Sequence, residues 1–178
     1  MTLRLGWMVI KRGQRFLVDC FLHAVGVVDH RVYMRLFNRV MAHRGMQISG
    51  TPRYVSPRAV IDGTDPSLLS LSDGCVISSG VRILTHDFSI DRMARETDDD
   101  GAEHVLIAPV HVGKRCFVGA GSILLPGAHL EDGVVVGAGS VVRGRIGQNS
   151  VVIGNPAQVV SDTKAFAEKN FGRSLKRE

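Results

Sequence analysis

The chain has 178 residues, of which 44% are hydrophobic and 22% are charged. These proportions are those of an ordinary folded domain and argue against a disordered chain. The three cysteines, Cys20, Cys75 and Cys116, lie far apart in the sequence. Neither a disulfide framework nor a zinc knuckle is therefore expected, and a reducing compartment fits.

The net charge of +5 is concentrated at the start of the chain. Residues 1–45 carry eight Lys or Arg against two Asp, a balance of +6, and the other 133 residues sum to −1. An anionic membrane surface, a nucleic acid or plain solvent could each face such a basic segment. No aromatic interleaving or finger motif supports a nucleic acid, so we expect no nucleic-acid partner.

The same segment, residues 1–45, is predicted to be helical. Within residues 32–41 the apolar side chains recur at three- and four-residue steps, with arginines on the other side. We interpret the segment as a basic helical cap on the rest of the protein, with contact to a membrane surface as the alternative. Its most apolar window, residues 16–28, contains Asp19 and His23 and is too short and too polar to span a bilayer.

A repeat of six residues dominates the remainder of the chain. The units LSDGCV, ISSGVR and ILTHDF begin at Leu71, and VGKRCF, VGAGSI, LLPGAH, LEDGVV and VGAGSV begin at Val112. The first place is aliphatic, the fifth is usually small, and the fourth is glycine in six of the eight units. Such a unit predicts a short strand followed by a turn, and three units make one coil of a parallel β-helix.

Two columns of side chains should fill the interior of this coil. The first-place residues stack as an aliphatic ladder: Leu71, Ile77, Ile83, Val112, Val118, Leu124, Leu130 and Val136. The fifth-place residues fill the tight space beside it: Cys75, Val81, Cys116, Ser122, Ala128, Val134 and Ser140. Successive coils would pair at the ordinary strand spacing, and the two VGAGS segments would lie one coil apart.

The repeat also sets the predicted boundaries. The β-helix domain is placed at residues 46–160, with a turn-rich interruption at DGTDPSLLS and a polar excursion loop at 88–105. The aspartates 98–100 lie in that loop and are interpreted as solvated. Residues 161–178 form a tail with a short helix.

The segments 61–89 and 109–160, and the block GNPA in particular, resemble the hexapeptide-repeat acyltransferases, whose coil is a left-handed parallel β-helix. They look most like the sugar O-acetyltransferases of capsule, O-antigen and exopolysaccharide synthesis. The resemblance implies acetyl-coenzyme A as the acyl-donor cosubstrate, a saccharide acceptor and direct transfer to a hydroxyl group.

The candidate base is His86, which takes the place of a corner glycine in ILTHDF. A sugar hydroxyl needs a base to remove its proton as it attacks a thioester, and imidazole titrates close to working pH. At a corner the side chain should project out of the coil, next to the excursion loop. Asp87 could orient the ring in its useful tautomer, or it could cap its own turn; the sequence leaves both open.

For the coenzyme, the resemblance implies a groove between coils in which backbone amides meet the pantetheine. It places Ala120, Gly121 and Ala138 of the VGAGS segments in that groove. Where relatives carry a Thr-Lys pair, this chain has Arg143, then Gly144 and Arg145. One of these arginines could hold the phosphates in place of the lysine. If the excursion loop is a pure insertion, His86 should lie on the same face as the groove.

The cysteines and the remaining histidines have competing interpretations. Cys75 and Cys116 fall in the inward column, so packing is preferred over a role as acyl carriers. A zinc site built from His86, His104, His111 and His129 has the wrong spacing for the zinc-binding relatives, and no metal is expected. The competing functions are N-acetylation of an aminosugar, O-acetylation of serine, a zinc-binding protein like the carbonic anhydrases of this fold, and a non-catalytic scaffold.

The resemblance further implies a homotrimer with active sites between subunits. The absence of a convincing secretory signal and the cysteine pattern predict a cytoplasmic protein. Contact of the basic segment with the inner face of the cell membrane is the accompanying hypothesis, because lipid-linked glycans are built there.

Overall fold

The computed structural model of the chain describes residues 16–62, 65–97 and 102–172. Aspartates 98–100, the first fifteen residues of the basic segment and the last six residues of the tail lie outside these ranges. Four α-helices are described: α1 through residues 16–28, α2 His30–His43, α3 Ser89–Thr97 and α4 Thr163–Phe171. Within the described ranges, every helix is too short or too polar to cross a lipid bilayer.

The first two helices form a hairpin against one end of the protein. Asp29 separates them and caps α2, because its carboxylate accepts from the backbone N–H groups of Arg31 and Val32. An ion pair of 2.7 Å between Asp19, near the start of α1, and Arg44, just after α2, joins the two helices at the open end of the hairpin. This hairpin is the helical segment that the apolar periodicity predicts.

Seventeen strands are described, most of them two residues long. They are β1 Gln47–Ser49, β2 Tyr54–Val55, β3 Val60–Ile61, β4 Leu69–Ser72, β5 Val76–Ile77, β6 Arg82–Ile83, β7 His86–Asp87, β8 Leu106–Ile107, β9 Val110–Val112, β10 Phe117–Val118, β11 Ile123–Leu124, β12 His129–Leu130, β13 Val135–Val136, β14 Val141–Val142, β15 Arg145–Ile146, β16 Ser150–Gly154 and β17 Ala157–Asp162.

Three sheets make the walls of the coil. Sheet A is β1-β4-β9-β12-β15, sheet B is β17-β16-β13-β10-β5-β2, and sheet C is β14-β11-β6-β3. All pairs within them are parallel except β16 and β17. The chain passes from sheet B to C to A and back to B, as β10, β11 and β12 do, which is the path of a parallel β-helix.

The interior is built from the two predicted columns. Every first-place residue is at most 1% exposed, and so is every fifth-place residue. Val118 pairs with Ile77 on one side and with Val136 on the other, so the two VGAGS segments do lie one coil apart. Burying aliphatic side chains in register supplies the main stabilisation of a coil that has few aromatic residues.

Glycine occupies the corners for a conformational reason. Gly121 and Gly139 have φ values of +70°, in the left-handed region that other residues rarely adopt. Arg115, the fourth residue of VGKRCF, takes the same region with φ +55°. His86 is absent from the described residues with positive φ, which means that its unit does not turn as the others do.

Within the described ranges, the chain leaves the coil in two segments that have strands and helices of their own. Between β6 and β9 it forms an antiparallel pair, β7 with β8, which carries α3 beyond it. At the far end, β16 turns back as an antiparallel hairpin into β17 and then α4. The short helix of the tail is confirmed, but β17 runs to Asp162, so strand structure extends beyond the predicted limit of residue 160.

Candidate active site

His86 lies at the base of the excursion, in β7, at the edge of sheet C where the chain leaves the coil. Its backbone pairs with Ile107 of β8. The regular six-residue unit stops at Thr85 because the chain leaves the coil there, at the position of the predicted corner. The glycine is absent because no left-handed turn is made, and the imidazole remains 36% exposed at the edge of the coil.

The ring of His86 is held by a buried carboxylate. Its Nδ1 makes a short hydrogen bond with Oδ2 of Asp62, whose side chain is only 4% exposed. Because a carboxylate can only accept, this contact places the proton of the neutral ring on Nδ1 and leaves the lone pair on Nε2. The imidazole is thus set up to accept a proton at Nε2.

Asp62 is itself fixed by Thr85. The backbone N–H of Thr85 donates to Asp62 Oδ2 at 3.0 Å, and its hydroxyl donates at 2.8 Å. Thr85 is 1% exposed, and the Asp62 N–H donates to the carbonyl of Ile83 in the next coil. The position of the Asp62 carboxylate is therefore fixed by the stacking of two coils, and so is its hydrogen bond to the ring of His86.

Asp87 does not contact the Nδ1 of its neighbour. Its carboxylate accepts from the backbone N–H of Ser89 at 2.8 Å, next to the start of α3. Hydrogen bonds from the backbone and the side chain of Ser89 hold the pKa of Asp87 below its usual value, with smaller contributions from the charges of Arg143 and His86. Of the two roles that the sequence left open for Asp87, the geometry gives it the local cap. The orienting position is filled by Asp62, which the sequence reasoning missed.

The residues chosen for the coenzyme lie at a different corner from His86. Ala120, Gly121 and Ala138 occupy the corner between sheets B and C, whereas His86 follows sheet C on its other edge. Within one chain the two corners thus bound opposite edges of sheet C. They do not form one continuous surface as the sequence suggested.

The corner between sheets B and C is open to a ligand. Ala120, Gly121 and Ala138 are exposed, and a Cβ built on Gly121 would meet no heavy atom within 4 Å. The backbone N–H of Gly121 donates to Ser79 and that of Gly139 to Ala120. Among the described residues, no hydrogen bond is formed by the N–H groups of Ala120 and Ala138, so both are free to meet an acceptor.

The two candidate arginines have different surroundings. Arg143 is exposed and follows β14 in the same place in its coil as Asp62 does after β3. Its charge is near enough to Asp87 to lower that pKa. Arg145 lies on sheet A and forms an ion pair with Glu131, its Nε donating at 2.7 Å. Of the two, Arg143 is therefore the one that stands on the His86 side of the coil.

A cavity of about 380 Å³ lies between the helical hairpin and the first coil. Its walls include apolar Tyr33 and Phe37 together with polar Asp19 and Arg44, and Asp62 borders it. The Nε2 atom of His86 points away from Asp62 and so away from this cavity. The imidazole also contacts the ring of Phe88 edge-on, with 5.4 Å between the ring centroids.

The histidines considered for zinc do not converge. His111 and His129 stack at 4.5 Å on the outer face of sheet A, away from His86. In the part of the chain that the structure describes, no group of three or more His, Cys, Asp or Glu side chains could hold a metal ion.

Two of the three thiols are inaccessible in the interior. Cys75 is 0% and Cys116 is 1% exposed. Burial raises the pKa of the Cys75 thiol to about 12 and that of Cys116 to about 11. A thiolate is the nucleophilic form of cysteine, so neither residue is suited to carry an acyl group.

A thiol titration will therefore detect one cysteine in the native protein. At pH 8 we expect an aromatic disulfide reagent to modify the exposed Cys20 rapidly and to leave the other two protonated and unreactive. In denaturant all three should react, and a Cys20→Ser variant should give no fast phase. Rapid modification of more than one thiol in the native protein would contradict the packing described.

The sequence relationships agree with this geometry. Residues 109–143 match the family model described as the hexapeptide repeat of succinyl-transferase. Protein CapG of Staphylococcus aureus is 31% identical over 144 residues, which cover 78% of this chain and 81% of CapG. This chain belongs to the hexapeptide-repeat acyltransferases.

Solved structures with low sequence identity share the fold of this hexapeptide-repeat acyltransferase. A maltose O-acetyltransferase from Clostridium difficile 630 superposes with a TM-score of 0.59 at 20% identity, covering 88% of each chain. A galactoside acetyltransferase in complex with coenzyme A gives 0.61 at 16% identity, covering 85% of this chain and 82% of that one. The predicted left-handed parallel β-helix is thereby confirmed.

Proposed function

We propose that this hexapeptide-repeat acyltransferase transfers the acetyl group of acetyl-coenzyme A to a hydroxyl group of a saccharide during synthesis of a surface polysaccharide. The observation that carries the proposal is the Asp62–His86 pair, a partly exposed imidazole whose second nitrogen is oriented by a buried carboxylate. The maltose and galactoside enzymes that share the fold support a sugar as acceptor and coenzyme A as the carrier. The similarity to CapG supports membership of the hexapeptide-repeat acyltransferases, but it gives no information about the acceptor.

The reaction would proceed by direct transfer. Nε2 of His86 accepts the proton of the acceptor hydroxyl while its oxygen attacks the thioester carbonyl. The C–S bond then breaks, the acetyl ester remains on the sugar, and His86 returns its proton to the departing thiolate of coenzyme A. Asp62 stabilises the imidazolium that forms in between and keeps the ring oriented. The burial of Cys75 and Cys116 supports this route over an acyl-enzyme.

The coenzyme would lie along the corner between sheets B and C. There the free N–H groups of Ala120 and Ala138 can donate to the carbonyl oxygens of the pantetheine amides, and Gly121 leaves room for close approach. Because this corner and His86 are on opposite edges of sheet C, the two parts would meet across a subunit boundary. A homotrimer supplies such boundaries, with the open corner of one subunit facing His86 of the next.

The phosphates would be bound by arginine. Arg143 is exposed and on the side of His86, whereas Arg145 would first have to leave Glu131. We therefore assign Arg143 the larger share of phosphate binding and keep Arg145 as the second candidate. The reaction is placed in the cytoplasm, where acetyl-coenzyme A and free thiols occur together.

An acceptor screen tests the proposed function. The protein is incubated with acetyl-coenzyme A and a panel of saccharides, aminosugars and serine, and the release of free coenzyme A thiol is followed. We expect release to depend on a saccharide and the product to lose its acetyl group in mild alkali, as an ester does and an amide does not. An alkali-stable product would favour N-acetylation, and a failure of every acceptor in the panel to stimulate release would argue against transfer altogether.

Two further measurements on the same protein test the assembly and the metal content. Light scattering should give a mass three times that of the 19.3 kDa chain, and a monomer would contradict a site shared between subunits. Metal analysis of the purified protein should find no stoichiometric zinc, and bound zinc with hydration activity would replace the proposal.

A further inference from the structure

One face of α1 is apolar, and none of the residues that the structure describes covers it. Its members recur at the three- and four-residue steps of a helix: Phe16, Leu17, Cys20, Phe21, Ala24, Val27 and Val28, here called the outer face of α1. Phe16 and Leu17 are each 68% exposed, Phe21 is 59% and Val28 is 87% exposed. Contiguous apolar surface of this kind is rare on soluble proteins and marks a place where something binds.

The orientation of this face is fixed by contacts on the other side of the helix. Leu22 is 4% exposed in the core, and Nδ1 of His23 lies 3.1 Å from the carbonyl oxygen of Pro57. A Cβ on Gly26 would lie 2.3 Å from the Pro57 ring, so helix and coil approach as closely as glycine allows. The outer face is therefore held outward by the packing of the inner face.

The charge next to this face is positive. Arg31, Arg35 and Arg39 are exposed along the adjoining helix α2. Within the described part of the hairpin the acidic residues are Asp19, which is paired with Arg44, and Asp29, whose charge acts on Arg31 and Arg35, so the cations remain in excess. Lys11, Arg12 and Arg15 come just before α1 in the sequence. A second copy docked through the same face would bring like charges together, and the body of the protein, with its balance of −1, offers little to neutralise them.

We propose that the outer face of α1 docks on the surface of an anionic lipid bilayer. The helix lies in the plane of the interface, its apolar side chains enter the acyl boundary, and the arginines of α2 meet the lipid headgroups. This combination of an apolar face and flanking cations is that of an interfacial helix, and it does not depend on the acetyl transfer proposed above. It would bring the catalytic coil to lipid-linked acceptors.

Vesicle sedimentation with the full chain tests the proposal. We expect binding to vesicles that contain phosphatidylglycerol, weak binding to phosphatidylcholine alone, and release by salt. Replacing Phe16, Phe21 and Val28 together by serine should weaken the partition coefficient by roughly tenfold or more, since their buried area drives insertion. As a matched control, Val159→Ser with Val160→Ser removes two exposed aliphatic side chains of β17 and should bind like the parent protein.

Each of the following outcomes would overturn the proposal. The parent protein failing to bind phosphatidylglycerol vesicles would do so, as would equal binding by the serine variant. If the serine variant instead loses oligomeric mass while neither protein binds vesicles, the face is a contact between copies of this chain. Should the serine variant not fold, glutamates in place of Arg31, Arg35 and Arg39 serve instead, and unchanged binding by that variant also contradicts the proposal.

Discussion

Replacing His86 with alanine is expected to lower the rate of acceptor-dependent thiol release by about two to four orders of magnitude, the range found for loss of a general base. The variant loses an imidazole whose Nε2 is free to accept a proton and whose Nδ1 is fixed by a buried carboxylate. Binding of coenzyme A should change little, since the proposed hydrogen bonds to its pantetheine come from the N–H groups of Ala120 and Ala138 and not from the imidazole. The measurement is kcat, with the coenzyme affinity measured separately.

The matched control is His43, an exposed histidine at the end of α2. His43→Ala should keep a kcat close to that of the parent protein, because His43 ends α2 and is followed by β1 of sheet A, whereas His86 follows sheet C. Equal thermal stability of the His86 variant would show that the loss is chemical. A His86→Ala protein that still turns over at nearly the parent rate would exclude imidazole as the base.

Replacing Asp62 with asparagine should have the next largest effect, a fall in kcat of about two orders of magnitude or more. An amide can donate to Nδ1 and so favours the tautomer with its proton on Nε2, where the acceptor hydroxyl needs a lone pair. It would also leave the bonds from Thr85 to a weaker acceptor. Both the maximum value of kcat and its dependence on pH should change. A purely structural loss would lower kcat without changing its pH dependence.

Asp87→Asn is the comparison that separates the two aspartates. Since Asp87 accepts from Ser89 and not from the ring, we expect less than about a tenfold loss of kcat. Its lowered pKa means that its carboxylate stabilises the folded state above the unfolded value of 3.8, and that this stabilisation is lost as pH falls through the folded value. The unfolding free energies of parent and variant should thus differ at neutral pH and converge in acid. Equal losses of kcat in both aspartate variants would contradict the distinct roles.

The coil itself could be predicted because each unit carries its own information. An aliphatic first place and a corner glycine recur whatever the neighbours are, and Leu124 and Val142 stack in the register that the spacing of eighteen implies. His86 was detectable for the same reason, as an exception to a strict local rule. The six-residue repeat does not explain why the unit that contains His86 departs from it. The antiparallel pairing of His86 with Ile107 joins residues across the excursion, and no local pattern encodes it.

Asp62 was missed because its role depends on coil stacking across an irregular connection. In the sequence it begins the turn-rich stretch DGTDPSLLS, where an aspartate is expected to serve a turn. Pairing Ile61 with Ile83 places it beneath Leu84 and beside Thr85, and this register would have revealed it. The separation of His86 from Ala120 by a whole sheet was missed similarly, since it depends on which corner the excursion leaves.

A structure of the protein with coenzyme A bound tests the central claim most directly. We predict that the coenzyme lies between two subunits along Ala120 and Ala138 of one. Its sulfur should come within about 3 to 4 Å of Nε2 of His86 of the other, the reach needed for proton transfer. A coenzyme sulfur bound at another corner of the coil, beyond hydrogen-bond reach of every His86 in the assembly, would contradict the proposal.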